Sequence, residues 1–527
     1  AASLASEIWR RDQADALRHL IEHCKSQPWA SRLAGFLLTC EVTEEWFAWG
    51  CNDGFYSDYS TPNQSRFVKW LTYRGLPARG IPPPNVRKCP GHDIYPNTAD
   101  SRLAAAYNQY ASELAAETIG YFADVVKKAT DNRCLVGSFY GYVIQLSGEP
   151  RQVLAGHSAL RRVIDDANID FICGIPLLDF RDLSNGYDPY TSATESILAA
   201  GKLFCNENDM FSWLHPILWH TEFDPADPRA AAISMHRREC ANDAVHGVVS
   251  QKFSLMASWH HDVKLQQDFA LQAKVNAKAL TYDRTPAEQI AFVVDESTLD
   301  WTSPESTVLG VAHKELLRNL GRTGAPIGVW LLSDLDKLPD RIKFVVLPHA
   351  IAPKPEDLLK LRSLIEKGGR TILAIGPIGL VDRATGRWNP CAPADVLGLE
   401  LSATDGKTTG EAARDLSNNG HLIWRGAPDL STDELRTLIK RAGVHCYAPA
   451  GCFVHASREL ISITSPYKAE VVVHFPAKCS TIDLFDNWRG SGTNISCPFA
   501  AGQTRLFAVS RAANLIDVSG RETASTE

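Results

Sequence analysis

Short apolar segments alternate with segments of helical periodicity through the first half of the chain. Each apolar segment has the character of a buried strand, and this alternation is typical of parallel βα units. The predicted strands are 34–42, 134–139, 169–175, 202–205 and 253–258. A closed (β/α)8 barrel has eight strands, and only one helix, predicted for 1–32, fits before the first of these. The pattern therefore predicts a (β/α)8-type barrel in residues 1–285, with strands four to eight present and the first three outside this sequence.

Two different patterns follow this segment. Residues 286–400 predict a doubly wound α/β domain of the flavodoxin or amidotransferase type, with strands at 290–294, 327–331, 344–348 and 371–375. Amidotransferases need a nucleophilic cysteine at a strand-to-helix turn, and none follows these strands, so we expect a structural or oligomerising role. Residues 401–527 predict a linker and an antiparallel β-sandwich, because alternating patterns recur at 460–464, 469–475, 481–484 and 504–509.

Charge and composition exclude several classes of function. The net charge of −7 comes without a basic block, so we expect no nucleic-acid partner. No run of eighteen apolar residues exists, so no membrane span is predicted. The 13 cysteines include no CxxC pair and no zinc-ligand spacing, so we predict no metal site and no cofactor. Buried, reduced thiols favour a cytoplasmic location.

Two of the predicted strands lead into acidic residues. Glu45 follows the strand 34–42, and Glu207 follows the apolar run at 202–205. The carboxyl ends of barrel strands face one rim, which is where barrel enzymes have their active sites. Two carboxyl groups that meet there can hydrolyse a glycosidic bond, one as proton donor and the other as nucleophile or base. We therefore predict that Glu45 and Glu207 are the catalytic pair of a glycosidase.

Aromatic and polar residues cluster at the same strand ends. Sugars have apolar faces that pack on aromatic rings and hydroxyls that need polar partners. The predicted substrate-binding residues are therefore Trp46, Trp49, Tyr140, Tyr142, Asp179, Arg181, Asp209, Trp213, Trp259, His260 and Asp262. Adjacent histidines at 260 and 261 would point to opposite faces of a strand, which argues against a metal site there.

The chain resembles the three-domain β-galactosidases of glycoside hydrolase family forty-two and allied bacterial glycosidases of clan A. The resemblance covers nearly the whole chain and rests on segments 43–46, 58–60, 67–71, 169–171, 201–209 and 237–239 and on the Gly-Gly strand of the α/β domain. It implies that Glu45 is the acid/base and Glu207 the nucleophile of a retaining β-glycosidase with a carbohydrate substrate. It also implies homo-oligomers, namely trimers assembled through the α/β domain.

The sequence departs from that family in ways that leave alternatives open. Glu44 stands where clan members usually have asparagine before the acid/base, which keeps Glu41 and Glu44 as rivals of Glu45. The zinc-binding cysteine cluster of many family members is absent, with only Cys51 nearby. A second hypothesis is a carbohydrate-binding or assembly protein that keeps the fold without turnover. The separation of the two carboxyl groups distinguishes the hypotheses, because more than about 10 Å fits neither retaining nor inverting chemistry.

Overall fold

The computed structural model describes residues 2–40, 43–183, 186–215, 227–254, 258–401 and 410–510. Within these ranges the chain forms a parallel sheet, a mixed sheet, an antiparallel sheet and a two-stranded ribbon. The rival acid Glu41 lies outside the described residues.

A five-stranded parallel sheet organises the first region, with its strands side by side in chain order. The strands are β1 Gly35–Leu38, β2 Leu135–Phe139, β3 Phe171–Gly174, β4 Leu203–Asn208 and β5 Val249–Lys252. Agreement between chain order and spatial order is typical of consecutive barrel strands, so the region has a barrel-like α/β fold. The strand that pairs with β4 is Val249–Lys252, directly before the predicted strand 253–258, and residues 255–257 of that prediction lie outside the described residues.

Helices cover one face of this sheet. They are α1 Glu7–Lys25, α2 Thr61–Tyr73, α3 Pro84–Lys88, α4 Ala99–Ala129, α5 Leu160–Ile164, α6 Thr194–Ala199, α7 Pro228–His246 and α8 Val263–Ala279. Leu38, Val136 and Phe204 point to the helices and share a core with α4 residues such as Phe122. By strand alternation the other face carries Leu37, Leu135, Leu203 and Val249, which are exposed. Closure of this sheet by three further strands stays a prediction.

The second region is a six-stranded mixed sheet in the order β12-β13-β9-β8-β6-β7. Its strands and the small ribbon are β6 Ile290–Val294, β7 Ile327–Leu331, β8 Phe344–Pro348, β9 Thr371–Ile375, β10 Val381–Asp382, β11 Arg387–Trp388, β12 Glu411–Asp415 and β13 His421–Arg425. The four strands predicted from the sequence are present with the predicted bounds. The sheet extends beyond residue 400, where the sequence had suggested a boundary, because β13 pairs in parallel with β9.

Helices flank the mixed sheet. They are α9 Thr298–Trp301, α10 Leu316–Gly321, α11 Pro355–Lys367, α12 Ala392–Leu397 and α13 Thr432–Arg441, and a π-helical turn, Gly310–Glu315, leads into α10. Phe292, Leu317 and Leu373 belong to the same apolar core as the helix-facing side of the first sheet. The first two regions are therefore packed into one hydrophobic interior.

The third region is a five-stranded antiparallel sheet in the order β14-β15-β18-β16-β17. Its strands are β14 Phe453–Ala456, β15 Leu460–Thr464, β16 Ala469–Asp483, β17 Arg489–Phe499 and β18 Thr504–Ser510. Two predicted strands, 469–475 and 481–484, are parts of the long β16, which has an irregular register between His474 and Cys479. All five strands contribute to one buried core, which gives the region the character of a β-sandwich. Leu506 and Leu460 pack against α7 and α8 of the first region.

None of the described helices is long and apolar enough to cross a membrane.

Candidate functional site

Glu45 lies in a strained loop directly after β1. The residues Thr43, Glu44 and Trp46 have φ angles of 56°, 67° and 63°. Residues with a Cβ carry a cost of about 1–3 kcal/mol in this left-handed region, and such strain persists only where surrounding contacts fix the backbone. One of these contacts is the hydrogen bond from Trp46 N–H to Cys40 O, with N···O 3.0 Å. The loop that presents Glu45 is therefore held in an unfavourable conformation by its neighbours.

The side chain of Trp46 anchors this loop in the protein core. Only 2% of Trp46 is exposed, and its ring packs against Phe122 with ring centres 6.4 Å apart. Its indole N–H donates to Leu38 O at 2.9 Å. The prediction of Trp46 as a sugar contact was wrong, because the apolar interior that buries the ring also removes it from any ligand.

Two hydroxyl groups donate hydrogen bonds to the Glu45 carboxylate. Thr43 Oγ1 donates to Oε2 at 2.6 Å, and Tyr142 Oη donates to Oε1 at 2.9 Å. Burial raises the pKa of Glu45, and the hydrogen bonds from Thr43 and Tyr142 oppose this rise because they stabilise the ionised form. Tyr142 is itself buried, so its position is fixed by packing. It holds the carboxylate and does not offer a face to a ligand.

His157 supports the same loop from behind. Its Nε2–H donates to the carbonyl oxygen of Glu45 at 2.9 Å, and its Nδ1 accepts from Gly141 N–H at 3.2 Å. This arrangement requires a neutral imidazole. Burial lowers the pKa of His157 to about 3, which is consistent with that state. The imidazole also stacks on Tyr140, so β2 and the Glu45 loop form one rigid unit.

Glu207 has a different setting, near the end of the regular strand β4. Within the described part of the chain, no residue donates a hydrogen bond to its carboxylate. Burial raises the pKa of Glu207 to about 7, and the negative charges of Asp209, Glu45 and Glu44 add to this rise. Glu45 is therefore one of three acids whose charge raises the pKa of Glu207, and Asp209 in turn acts to raise the pKa of Glu45. Glu45 and Glu207 are both half-buried, so neither is sealed inside the apolar core.

Arg181 and Asp209 form an ion pair beside Glu207. Arg181 Nη2 donates to Asp209 Oδ1 at 2.6 Å, and the guanidinium is almost completely buried. Arg238, on α7, donates to the Arg181 carbonyl oxygen at 3.0 Å. Glu239, the next residue on α7, is fully buried, and burial raises its pKa well above the usual value. The bracing contact to the loop of Arg181 is made by Arg238.

A charged cluster near Glu45 includes a residue from the second region. Lys314, on the π-helical turn, contacts Glu149 Oε1 at 3.0 Å and Asp179 Oδ2 at 2.7 Å. Glu149 in turn binds Arg151 Nε at 2.6 Å. Arg151 lies over the Phe47 ring at 5.0 Å, and its positive charge acts to lower the pKa of Glu45. The predicted rim residue Asp179 therefore belongs to an ion-pair cluster.

Several other predicted binding residues have structural roles. Tyr140 is buried and donates to the carbonyl oxygens of Ser112 and Gly156. Trp259 is buried against Met210 and Phe211. The prediction for Tyr140 was wrong, because its ring is fully buried and its hydroxyl is held by the backbone. Trp259 has an indole N–H that is buried without a hydrogen-bond partner, and its contact with a sugar stays a prediction.

The segment after Trp259 forms a turn and a helix start, not a strand. His260 is buried, and its Nε2 contacts Met210 O at 3.1 Å. Asp262 caps α8 by accepting from Leu265 N–H at 3.0 Å, and it pairs with Arg229 at 2.7 Å. Both were predicted as substrate contacts, and both have local partners instead. Among the described residues, no group of three or more His, Cys, Asp or Glu side chains is arranged to hold a metal ion.

Two predicted aromatic contacts remain open to solvent. Trp49 is 56% exposed on the loop that carries Glu45. Trp213 is half-buried, with Arg229 over its ring at 5.3 Å.

Sequence reasoning missed three residues that surround Glu45, namely Thr43, His157 and Arg151. Their roles depend on contacts across the fold, and no spacing along the chain signals those contacts.

The fold is similar to those of β-galactosidases of glycoside hydrolase family forty-two. The enzyme from Bacillus circulans sp. alkalophilus is 12% identical, with a TM-score of 0.62 over 97% of this chain and 83% of that chain. The GH42 β-galactosidase Gan42B from G. stearothermophilus is 12% identical, with a TM-score of 0.64 over 97% and 82%. The β-galactosidase from Halorubrum lacusprofundi is 15% identical, with a TM-score of 0.62 over 96% and 83%. No protein-family model matches the sequence, and no curated protein is significantly similar to it.

Proposed function

We propose that this chain is a retaining glycoside hydrolase that acts on β-glycosides, with Glu45 as acid/base and Glu207 as nucleophile. The observation that carries the proposal is the pair of half-buried carboxylates after β1 and β4, in which the charge of Glu45 adds to the rise in the pKa of Glu207. Repulsion between two carboxylates favours a state in which one is protonated and the other ionised. Double displacement begins from such a state, since one group protonates the leaving oxygen while the other attacks the anomeric carbon.

In the first step Glu45 gives its proton to the glycosidic oxygen as the Glu207 carboxylate forms a bond to the anomeric carbon. The leaving group departs with that proton, and a glycosyl-enzyme ester remains. In the second step Glu45, now ionised, takes a proton from water as the water oxygen attacks the same carbon. The ester bond breaks, Glu207 is regenerated, and the sugar leaves with its original configuration. Tyr142 and Thr43 stabilise Glu45 in its ionised state between the two steps.

One observation favours the opposite assignment of roles. Hydrogen bonds from Thr43 and Tyr142 stabilise ionised Glu45, whereas Glu207 has a pKa raised to about 7. The swapped roles, with Glu207 as acid/base and Glu45 as nucleophile, are therefore a second assignment to be tested.

Azide rescue distinguishes the two assignments. We expect Glu207→Ala with a dinitrophenyl β-galactoside and azide to give the α-glycosyl azide, because azide attacks the anomeric carbon in place of the missing nucleophile. Glu45→Ala should give the β-glycosyl azide, because azide intercepts the glycosyl-enzyme. Proton NMR of the products identifies each anomer. Exchange of the two products between the variants would establish the swapped roles.

Hydrolysis itself is tested with the unaltered chain and Glu207→Gln on a panel of aryl β-glycosides, with β-galactosides first because the similar structures are β-galactosidases. Near wild-type turnover in Glu207→Gln would remove the proposal. A wild-type chain that binds oligosaccharides but hydrolyses none of the panel would establish the carbohydrate-binding alternative. Assembly into trimers through the second region stays a prediction.

A further inference from the structure

A pocket separate from the two candidate carboxylates lies beside the loop that carries Glu45; we call it the second pocket. Its volume is ≈ 350 Å³, and its lining includes Ala48 and Trp49 of that loop. Trp49, Phe55 and Tyr59 line it with exposed fractions of 56%, 66% and 37%. Aromatic rings this exposed add little to a folded core, and rings around a small pocket with polar groups are suited to the apolar faces of a sugar.

The charged floor of this pocket is the guanidinium of Arg87. Arg87 is only 4% exposed and lies over the rings of Tyr107 and Tyr56 at 4.4 and 5.0 Å. Its Nη1 makes two long contacts, both of 3.4 Å, to Ser57 O and Tyr59 Oη. Its Nε is buried without a hydrogen-bond partner. No ion pair within 4.0 Å includes Arg87 among the described residues. A buried cation in this state is stabilised when an anion approaches it.

The other charged group in the pocket is already engaged. Asp58 accepts hydrogen bonds from Ser3 Oγ at 2.7 Å and from Ser60 Oγ at 2.6 Å. It also accepts from the backbone N–H of Ser60, which is the N-cap of α2, so its charge faces the positive end of that helix. Arg87 has cation–π contacts with tyrosine rings, but no carboxylate pairs with it among the described residues. The pocket therefore offers a buried positive charge without an anionic partner, surrounded by aromatic rings.

We propose that this pocket binds a saccharide unit that carries a carboxylate or a sulfate group, with the acidic group on Arg87 and the sugar ring on Trp49 and Phe55. The inference rests on the proposed function for the saccharide class of the ligand, whereas the preference for an anion rests on Arg87 alone. A site of this kind beside the Glu45 loop would select acidic glycans.

The test is direct binding of three monosaccharides to the full chain, measured by ligand-observed NMR titration. The probes are galactose, galacturonic acid and galactose 6-sulfate, and none of them has a bond for a glycosidase to cleave. We expect at least one acidic sugar to bind about 10-fold more tightly than galactose, because hydrogen bonds between ionised groups are stronger than those between neutral groups. The two acidic probes show whether carboxylate or sulfate is preferred. Equal affinity for all three sugars, or no binding of any, would overturn the proposal.

Variants locate the site. Arg87→Gln should remove the preference for acidic sugars, and Arg87→Lys should retain part of it because the charge remains. Trp49→Ala should weaken the binding of acidic sugars, whereas the matched variant Trp29→Ala, a tryptophan 46% exposed outside the pocket, should not. If Arg87→Gln does not fold, the proposal is still tested by the preference of the wild-type chain for acidic sugars and by the comparison of Trp49→Ala with Trp29→Ala. An acid preference that survives in folded Arg87→Gln, or equal effects of the two tryptophan variants, would refute the assignment.

Glu207→Gln separates this inference from the proposed reaction. It should leave the acid preference unchanged, because the pocket does not contain Glu207. Loss of hydrolysis without loss of acidic-sugar binding supports both proposals. Loss of acidic-sugar binding in Glu207→Gln would instead place these ligands at the paired carboxylates and overturn the second pocket.

Discussion

The two candidate catalytic carboxylates stand in opposite kinds of structure. Glu45 lies in a strained loop, and two hydroxyl groups and a buried imidazole fix its position. Glu207 lies on a regular strand and is surrounded by negative charges, with no donor to its carboxylate among the described residues. The loop residue is thus positioned by side-chain contacts, and the strand residue by backbone pairing. The difference teaches that one edge of a sheet can carry two candidate carboxylates whose positions are fixed in different ways.

The strongest test of this contrast uses leaving groups of different quality. Glu207→Gln should lower kcat about ten-thousand-fold for every leaving group, because no glycosyl-enzyme can form. Glu45→Gln should lower kcat/KM by about a thousandfold for methyl glycosides and far less for dinitrophenyl glycosides, whose leaving groups need no proton. The control is Glu44→Gln, since Glu44 is exposed and should remain within about threefold of wild type. If Glu44→Gln were the most damaging variant, Glu45 would lose its role.

The next test concerns the anchor of the strained loop. Trp46→Ala should lower the free energy of unfolding by about 3–5 kcal/mol, because it leaves a cavity beside Phe122 and removes the hydrogen bond to Leu38. Trp49→Ala, three positions along and exposed, should change it by less than about 0.5 kcal/mol. Urea denaturation followed by tryptophan fluorescence and circular dichroism measures both. Similar losses in the two variants would show that the loop is not held from the core.

A smaller effect is expected from the hydroxyl group that holds Glu45. Tyr142→Phe removes a donor to the ionised carboxylate, so the pKa of Glu45 should rise and the matching limb of the pH–rate profile should move to higher pH. We expect kcat/KM to fall by about tenfold. The matched control is Tyr140→Phe, whose hydroxyl contacts the backbone carbonyl groups of Ser112 and Gly156. That change should cost about 1 kcal/mol of stability and leave the profile in place. A limb that stays fixed in Tyr142→Phe would contradict the assigned contact.

The smallest effect is a displacement of the Glu207 titration. Asp209→Asn removes a negative charge that raises the pKa of Glu207, and it also releases the charge of Arg181. Both changes favour ionised Glu207, so its pKa should fall below about 7 and the corresponding limb should move to lower pH. Asp179→Asn serves as control, because Asp179 is not among the charges that act on Glu207. A limb that moves upward in Asp209→Asn would exclude the electrostatic explanation.

The sequence predicted the mixed sheet well and the last strand of the parallel sheet badly. Ile290–Val294 and Thr371–Ile375 are continuous apolar runs because both faces of the sheet are covered, so their bounds are visible in the sequence. Val249–Lys252 contains Ser, Gln and Lys and is only partly covered, so nothing in its composition indicates a strand. Its pairing with β4 is a tertiary contact.

In the candidate site, too, some features follow from neighbouring residues in the sequence and others depend on tertiary contacts. An acid after an apolar strand is a local pattern, which is how Glu45 and Glu207 were predicted. Whether a neighbouring aromatic ring faces a ligand or the core depends on what lies beneath it. Trp46 and Trp49 are close together in the sequence and have the same chemistry, yet α4 buries one and leaves the other exposed. No periodicity in a loop distinguishes the two.

The contact of Lys314 with Glu149 and Asp179 has a consequence for how this protein can be divided. A fragment that ended after α8 would retain two adjacent acids near the Glu45 loop and lose the cation that neutralises them. The ion-pair cluster therefore crosses the sequence boundary between the first and second regions, and recombination at that boundary would separate Lys314 from the two acids that it contacts.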